Sequence, residues 1–321
     1  MKAVRIHSYG GPEELVYEDA PVPDAEEGEI LVCVHAAGVN PADRQIRAGL
    51  RQRREGRFSL TLGLEVSGVV AKVGPGAAGF GVGDPVYGLV MAMGGYAEFI
   101  AGPAANFAPK PRSLDHVHAA ATPVTGLTAW QALFEVAGLL PGQKVLIHAA
   151  AGGVGHMAVQ FAKWRRAYVI GTASAKNEAF LLGLGVDEFI DYQATAFESV
   201  VDAVDVVLDA VPREVDDHTD AVARETVDRS WGVLKDGGIL VSVCAHAAPD
   251  EAATERGVRG RYWLAESRRD HLEQIAGLVD DGYVKPVVSA VLPLDQARRA
   301  HELIQTGHTQ GKIVLRVSDG R

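Results

Sequence analysis

Residues 144–163, KVLIHAAAGGVGHMAVQFAK, decide the fold. The apolar run Lys144–His148 reads as a buried strand, and Val154–Arg165 carries apolar residues at helical spacing. Between them Ala150, Gly152 and Gly155 take the three positions of a G-x-G-x-x-G turn, with Gly153 and Val154 inside it. A helix starting directly after such a turn offers backbone N–H groups with no intrahelical acceptor, and its positive dipole end, to a pyrophosphate. Gly152 lets a cofactor approach the backbone, Gly155 lets the helix pack close to its strand, and Ala150 shows that the first position tolerates a methyl. A ligand-free tight turn is also glycine-rich; the strand–turn–helix context points instead to a dinucleotide.

The alternation continues on both sides. An apolar helix at Ala129–Ala137 precedes the turn, and strands at Tyr168–Thr172, Val204–Leu208 and Gly238–Val243 follow it, with a helix around Val222–Leu234. Such βα repetition requires a parallel sheet with helices on both faces, a doubly wound α/β domain. The first hundred residues differ: short strands at Ala3–His7, Ile30–Ala36, Val66–Val73, Pro85–Leu89 and Tyr96–Ile100, separated by turn clusters such as GPGAAGFGVGD. A helix at Leu272–Asp281, a strand at Val287–Leu292, a helix at Leu294–Thr306 and a strand at Lys312–Val317 are expected to return to that β-rich domain. The reading is two domains, a β-rich one from residues 1–122 and 256–321 and a nucleotide-binding one from 123–255.

Composition agrees. The 321 residues, 47% apolar and 22% charged, suit two cored domains, and a net charge of −10 opposes nucleic acid or an anionic membrane surface as partner. The basic run Arg44–Arg57 is either a local phosphate contact or a solvated face. Cys33 and Cys244 each sit in a strand-like apolar run, the N-terminus has no signal-peptide core, and no stretch is apolar enough to span a membrane, so a cytosolic protein is expected.

After the second strand, VIGTASAKN (residues 169–177) places Thr172, Ser174 and Lys176 where an NAD site needs a carboxylate for the ribose 2′-hydroxyl. The absent carboxylate and the nearby Lys176 favour NADPH. Taken singly, Ser174 could be an ordinary helix cap and Lys176 a solvated lysine. Tyr192, after the third strand, either stacks on the adenine or closes the sheet edge.

Ten ordered segments, from MKAVRIHSYGGPEEL at the start through AAGVNPADRQIRAG, LGLEVSGVVAKVG, GDPVYGL, TGLTAWQAL, AAAGGVGHMAVQFAK, LGVDEFIDY, DVVLDAV and LKDGGILVSV to GKIVL, cover nearly the whole chain. They resemble the medium-chain dehydrogenase/reductase superfamily, and within it the zinc-free quinone oxidoreductase branch of zeta-crystallin and the enone reductases. The resemblance implies a GroES-like catalytic domain and a Rossmann domain with NADPH between them. It places the nicotinamide near Asn40–Gln45 and Thr128, the diphosphate on Gly152–Gly155, and the ring amide near Val211, Cys244 and Ala245, with Gly311 and Lys312 closing the cleft. Trp263 falls where the family lines its substrate pocket, although it also reads as plain core. The chain departs from the family at Gln45, where an aromatic residue is common, and at Val211-Pro212-Arg213, where V-G-G is.

The zinc-dependent relatives hold their metal with a cysteine before the first-domain helix and a histidine in a G-H-E triplet. Here Asn40 and Pro41 stand in the first place, the triplet reads Gly63-Leu64-Glu65, and the loop expected to carry four structural cysteines has none, so no metal is expected. The resemblance then implies hydride transfer from NADPH to a quinone or an α,β-unsaturated carbonyl. The charged oxygen would be held by a protein amide, Asn40 or the cofactor ribose, and Asp43 would orient this region or cap the following helix. A noncatalytic NADPH-binding protein is the alternative. A homodimer through the nucleotide domain is expected, because a strand edge near Ile239–Val243 or Val287–Leu292 must be covered.

Overall fold

The computed structural model describes residues 1–50, 58–212, 217–244 and 251–318, without the side chains of 217–223 and Ala252. The strands in chain order are β1 (Lys2–Ile6), β2 (Val16–Asp19), β3 (Glu29–Val39), β4 (Leu60–Thr61), β5 (Glu65–Val73), β6 (Pro85–Leu89), β7 (Phe99–Pro103) and β8 (Phe107–Pro109), then β9 (Lys144–His148), β10 (Tyr168–Ala173), β11 (Glu188–Asp191), β12 (Val204–Asp209), β13 (Leu234–Ser242) and β14 (Arg259–Tyr262), and finally β15 (Val288–Pro293) and β16 (Lys312–Arg316). The helices are α1 (Pro41–Arg47), α2 (His116–Ala120), α3 (Pro123–Trp130), α4 (Gly153–Trp164), α5 (Glu178–Gly183), α6 (Asp217–Ser230), α7 (Glu251–Glu255), α8 (Arg269–Asp280) and α9 (Ala297–Gln305). Among the described residues no helix is long and apolar enough to cross a membrane.

The chain forms two compact units: Met1–Leu127 with Ser267–Gly282 and Pro286–Arg321, and Thr128–Glu266 with Tyr283–Lys285. In the first unit the eleven-residue β3 is the hub of a seven-stranded sheet of order β15-β16-β3-β5-β6-β8, with β7 also paired to β3. Its alternate residues Ile30, Val32, Val34 and Ala36 are all fully buried, which gives so long a strand a core to adhere to. A smaller antiparallel sheet, β2-β1-β4, completes the unit. The expected strand at Tyr96–Ile100 begins only at Phe99, because Tyr96 bonds through its N–H to Leu62 O (2.9 Å) and through its carbonyl to Val4 N (2.8 Å).

The second unit is a six-stranded sheet of order β11-β10-β9-β12-β13-β14, every pair parallel. Counted from β9 this is 3-2-1-4-5-6, the dinucleotide-binding order that reverses at β9. Strand β14 overturns one expected boundary and one expected edge. It pairs with Ile239–Ser242, so residues 256–266 stay in this unit rather than returning to the first, and β13 is covered on both sides and offers no open edge. The expected apolar helix Ala129–Ala137 is the end of α3 followed by a π-helical turn, Gln131–Val136. Leu234, placed in a helix from the sequence, opens β13, because Trp231–Val233 close the preceding helix as a single tight turn.

Candidate functional site

In the second unit the site begins where β9 ends. Ala149 adopts a left-handed conformation (φ +51°), Ala150 donates its N–H to Thr172 O (3.0 Å), and Gly152 caps α4. The sharp reversal therefore falls on Ala149 rather than on Ala150, whose methyl is fully buried. A Cβ added at Gly155 would lie 2.3 Å from Ala149 O and 2.6 Å from Ala150 Cα, so the helix–strand approach requires glycine there. At Gly152 an added Cβ meets only Ala149 O, at 3.2 Å. The first-turn N–H groups of Gly153, Val154 and Gly155 have no intrahelical acceptor by helix geometry. The turn fits a dinucleotide diphosphate in shape and in donors.

At the end of β10 the structure separates three residues that the sequence groups together. Thr172 is buried, with Oγ1 3.1 Å from His148 Nδ1, so its hydroxyl is spent inside the unit. Ser174 Oγ accepts from Asn177 Nδ2 (3.1 Å), while Lys176 is exposed and Tyr192 is 53% exposed. His148 Nε2 donates to Ser230 Oγ (3.0 Å), which itself donates to Thr226 O. Burial, and the nearby Arg229, press the imidazole down to about 3, so it is a neutral tie between β9, β10 and α6.

Asp209, at the end of β12, organises the next loops. Its Oδ2 accepts from Ser242 Oγ (2.7 Å), its Oδ1 from Val211 N (3.1 Å), and its carbonyl from Val243 N (3.0 Å). Ser242 Oγ in turn accepts from Cys244 N (3.3 Å). The two expected nicotinamide contacts Val211 and Cys244 are thus held by one buried carboxyl, which burial raises to about 6. Ala245 and Arg213 lie outside the described residues. Trp263 is half-buried and donates Nε1–H to Gln131 Oε1 (3.2 Å), and the same amide oxygen accepts from Glu266 N (2.9 Å). The π-helical turn aims Gln131 at this segment. Thr128 is buried on α3.

In the first unit Asn40, at the start of α1, is 2% exposed. Its Oδ1 accepts from Lys312 Nζ (2.6 Å) and its Nδ2 donates to Glu65 Oε1 (3.0 Å). Lys312 Nζ also meets Glu65 Oε1 at 2.7 Å and donates to Val39 O (2.8 Å). Glu65 Oε2 accepts from Val124 N (2.7 Å) at the start of α3. Asp43 is fully buried; its Oδ2 accepts from Asn40 N (2.9 Å) and its Oδ1 from Gly63 N (3.2 Å). Burial raises its carboxyl to about 6 against those bonds and the Lys312 charge. Gln45 is half-buried on α1, and Gly311 (φ +61°) turns the chain into β16 with Val287 O 2.3 Å from where a Cβ would stand.

Residues 26–112 match the alcohol dehydrogenase GroES-like domain, and residues 184–315 match the family described as zinc-binding dehydrogenase. The quinone oxidoreductase of Rattus norvegicus is 32% identical over 333 residues, covering 98% of this chain and 97% of that one. The chain belongs to the quinone oxidoreductase family. A 2-haloacrylate reductase of a Burkholderia species is 32% identical over 340 residues, with 98% of both chains covered. The Escherichia coli quinone oxidoreductase complexed with NADPH superposes with a TM-score of 0.87 at 29% identity, covering 99% of this chain and 100% of that one. The protein is therefore an oxidoreductase with the GroES-like and nicotinamide-dinucleotide-binding domains of its family.

Against the pattern of the zinc-dependent relatives, the residues at and beside the metal-ligand positions are engaged elsewhere. Asn40 and Glu65 hold Lys312, and Leu64 is 8% exposed with no donor atom. Among the described residues no three His, Cys, Asp or Glu side chains cluster as a metal site. His116 and His118 open α2, where Asp115 accepts His118 N–H (2.8 Å) as a cap. Arg47, in the basic run, is a buried interior residue, and residues 51–57 of that run lie outside the described part. Sequence reading missed His148, Asp209 and Glu65. Each is a polar residue at the end or start of an apolar strand, a pattern that could have singled it out.

Proposed function

We propose that this quinone oxidoreductase family member uses NADPH to reduce quinones or α,β-unsaturated carbonyls without a metal. The carrying observation is the end of β10, where residues 172–177 offer Ser174 and an exposed Lys176 to a 2′-phosphate and contain no carboxylate to repel it. Gly152, Gly153, Val154 and Gly155 would hold the diphosphate, Tyr192 would stack on the adenine, and Val211 and Cys244 would border the nicotinamide amide. Bound NADPH would supply a hydride, which adds to the β-carbon of an enone or to a quinone ring and leaves negative charge on the conjugated oxygen.

The chain's own part is binding and orientation. Alcohol oxidation needs a group that stabilises an alkoxide, normally zinc or a Tyr/Lys pair, and the residues at the ligand positions supply neither. A conjugated acceptor spreads its charge onto an oxygen that ordinary donors can hold. Asn40, expected as that donor, has its oxygen on Lys312 and one amide hydrogen on Glu65, and the other hydrogen faces Gly38 O at 3.5 Å. Its role is to shape the turn, which leaves the oxyanion to a backbone amide or the cofactor ribose. Lys312, expected to close over the cofactor, is 3% exposed and likewise holds the turn from inside. A homodimer remains our reading, now through one of two outer strands, β14 beside the covered β13 or β15.

Absorbance at 340 nm tests the reading, with NADPH or NADH and a panel of 1,4-benzoquinone, 9,10-phenanthrenequinone, methyl vinyl ketone and trans-2-hexenal, and in the reverse direction with NADP+ or NAD+ and ethanol. NADPH-dependent turnover of the conjugated acceptors in the presence of chelator is expected. Turnover of ethanol with none of them would overturn it.

A further inference from the structure

Four side chains that the proposed reaction does not use form one buried line in the first unit. Asp43 and Arg47 lie on α1, Tyr96 precedes β7, and His301 lies on α9. Tyr96 OH donates to Asp43 Oδ2 (3.2 Å), Tyr96 Oη lies 3.3 Å from His301 Nε2, and His301 Nδ1 lies 3.1 Å from Arg47 Nη1. The phenol and imidazole rings meet edge to face at 5.8 Å. Arg47 is only 2% exposed, and the other three are fully buried.

Donor chemistry leaves one arrangement of protons. A guanidinium only donates, so His301 Nδ1 accepts. A neutral imidazole then carries its hydrogen on Nε2 and gives it to the tyrosine oxygen, and the phenol gives its own to Asp43. Every bond points from the cation toward the anion, so each polarises the next. The remaining acceptors of Arg47, Gly10 O (3.1 Å) and Gln305 Oε1 (3.3 Å), are uncharged. A buried cation without a carboxylate in contact is costly unless its field reaches one.

We propose that Tyr96 and His301 are positioning residues, two neutral side chains through which buried Arg47 holds the Asp43 carboxylate and, with it, the turns at Asn40 and Gly63. The carboxylate is well placed for this, since it accepts from the backbone N–H groups of both turns, 2.9 Å and 3.2 Å away. Burial and the charges of Arg47 and Arg44 push His301 down to about 3, which keeps the bridge neutral. The other charged groups acting on the line are Glu65 and Lys312 on Asp43 and Glu13 on Arg47. That these turns matter to turnover rests on the function proposed above; that the line holds them does not.

The experiment separates the two. Amide hydrogen exchange at Asn40 and Gly63 is read by NMR in the full-length protein and in Y96F, H301L and H301Q, alongside kcat and the NADPH KM with methyl vinyl ketone. Y96F and H301L should speed exchange at both amides about 10-fold or more while leaving the amides of β9 to β13 unchanged, and H301Q, which can still accept and donate, should restore protection. The kcat should fall about 10-fold with NADPH KM within about twofold. Faster exchange with unchanged kcat would keep the relay and sink the role of the turns in turnover. Unchanged exchange in both Y96F and H301L would overturn the relay. If neither variant folds, the wild-type imidazole decides: a ¹⁵N spectrum with Nδ1 bare and Nε2 protonated down to pH 5 is expected, and the opposite tautomer, or an imidazolium at pH 6, refutes the proposal.

Discussion

The two units solve the burial of polar groups in different ways. The first buries charge, with Lys312 against Glu65 and Arg47 linked to Asp43 through two neutral rings. The second ties its strand ends with neutral groups, His148 between Thr172 and Ser230, and with one carboxyl, Asp209, that burial pushes toward protonation. Charged ties are strong only when complete, since the loss of one partner leaves an unpaired buried ion. Neutral ties fail more gently. The first unit should therefore be brittle at a few residues, and the second tolerant except at its backbone turn.

The largest effect expected from this contrast is at Lys312. K312M strands Glu65 and frees Asn40, and should cost about 3–5 kcal/mol in denaturant unfolding, while K312M with E65Q recovers a good part of it. A loss below about 1 kcal/mol would mean the first unit is not charge-tied.

Acid acts with opposite sign on the buried imidazoles and the buried carboxyls, one of each in either unit. His148 and His301, both held down to about 3, bind protons more readily when unfolded, so their share of stability is full at neutral pH and drains as pH falls below the ordinary histidine range. By pH 5 each should have lost about 1–2 kcal/mol. Asp43 and Asp209, both raised to about 6, act in the opposite direction and gain stability as pH falls through 6. H148N should flatten the acid limb of a Tm-against-pH curve, and D209N should remove the opposing rise. An H148N curve as steep as wild type would show that this imidazole is not the neutral tie described.

A further effect concerns the cofactor alone. K176A should weaken NADPH by about 10- to 150-fold, the worth of one charge-assisted bond, and leave NADH unchanged by fluorescence titration. Equal affinity of the parent for both cofactors would contradict the reading of the β10 end. Smallest of all, Ala149 is held at φ +51°, and A149G should raise stability by about 1 kcal/mol in urea unfolding by relieving that strain.

The second unit was legible because its determinants are local. The strand, turn and helix of residues 144–163 lie within one stretch, and the βα period needs no knowledge of distant residues. The first unit's site is not local: Asn40 meets Glu65, Lys312 and, through Asp43 and Tyr96, His301 on α9, and only the register of β3, β5 and β16 brings these together. From sequence Asn40 and Lys312 each looked available to a ligand, and their mutual engagement removed both from the surface. Thr172 misled in the same way, since nothing near it in the chain announces His148 as its partner. The boundary at residue 256 was missed because the four-residue β14 carries too short a pattern to distinguish a sixth parallel strand from a linker.

At the core of the proposed function is hydride delivery, without a metal, to the far carbon of a conjugated acceptor. The most direct test follows the label from NADPH deuterated at the transferable C4 position into the product of methyl vinyl ketone, using protein dialysed against chelator. The proposed reaction gives 2-butanone with one deuterium on the former β-carbon. Deuterium on a carbinol carbon, in an allylic alcohol formed only when zinc is restored, would contradict it.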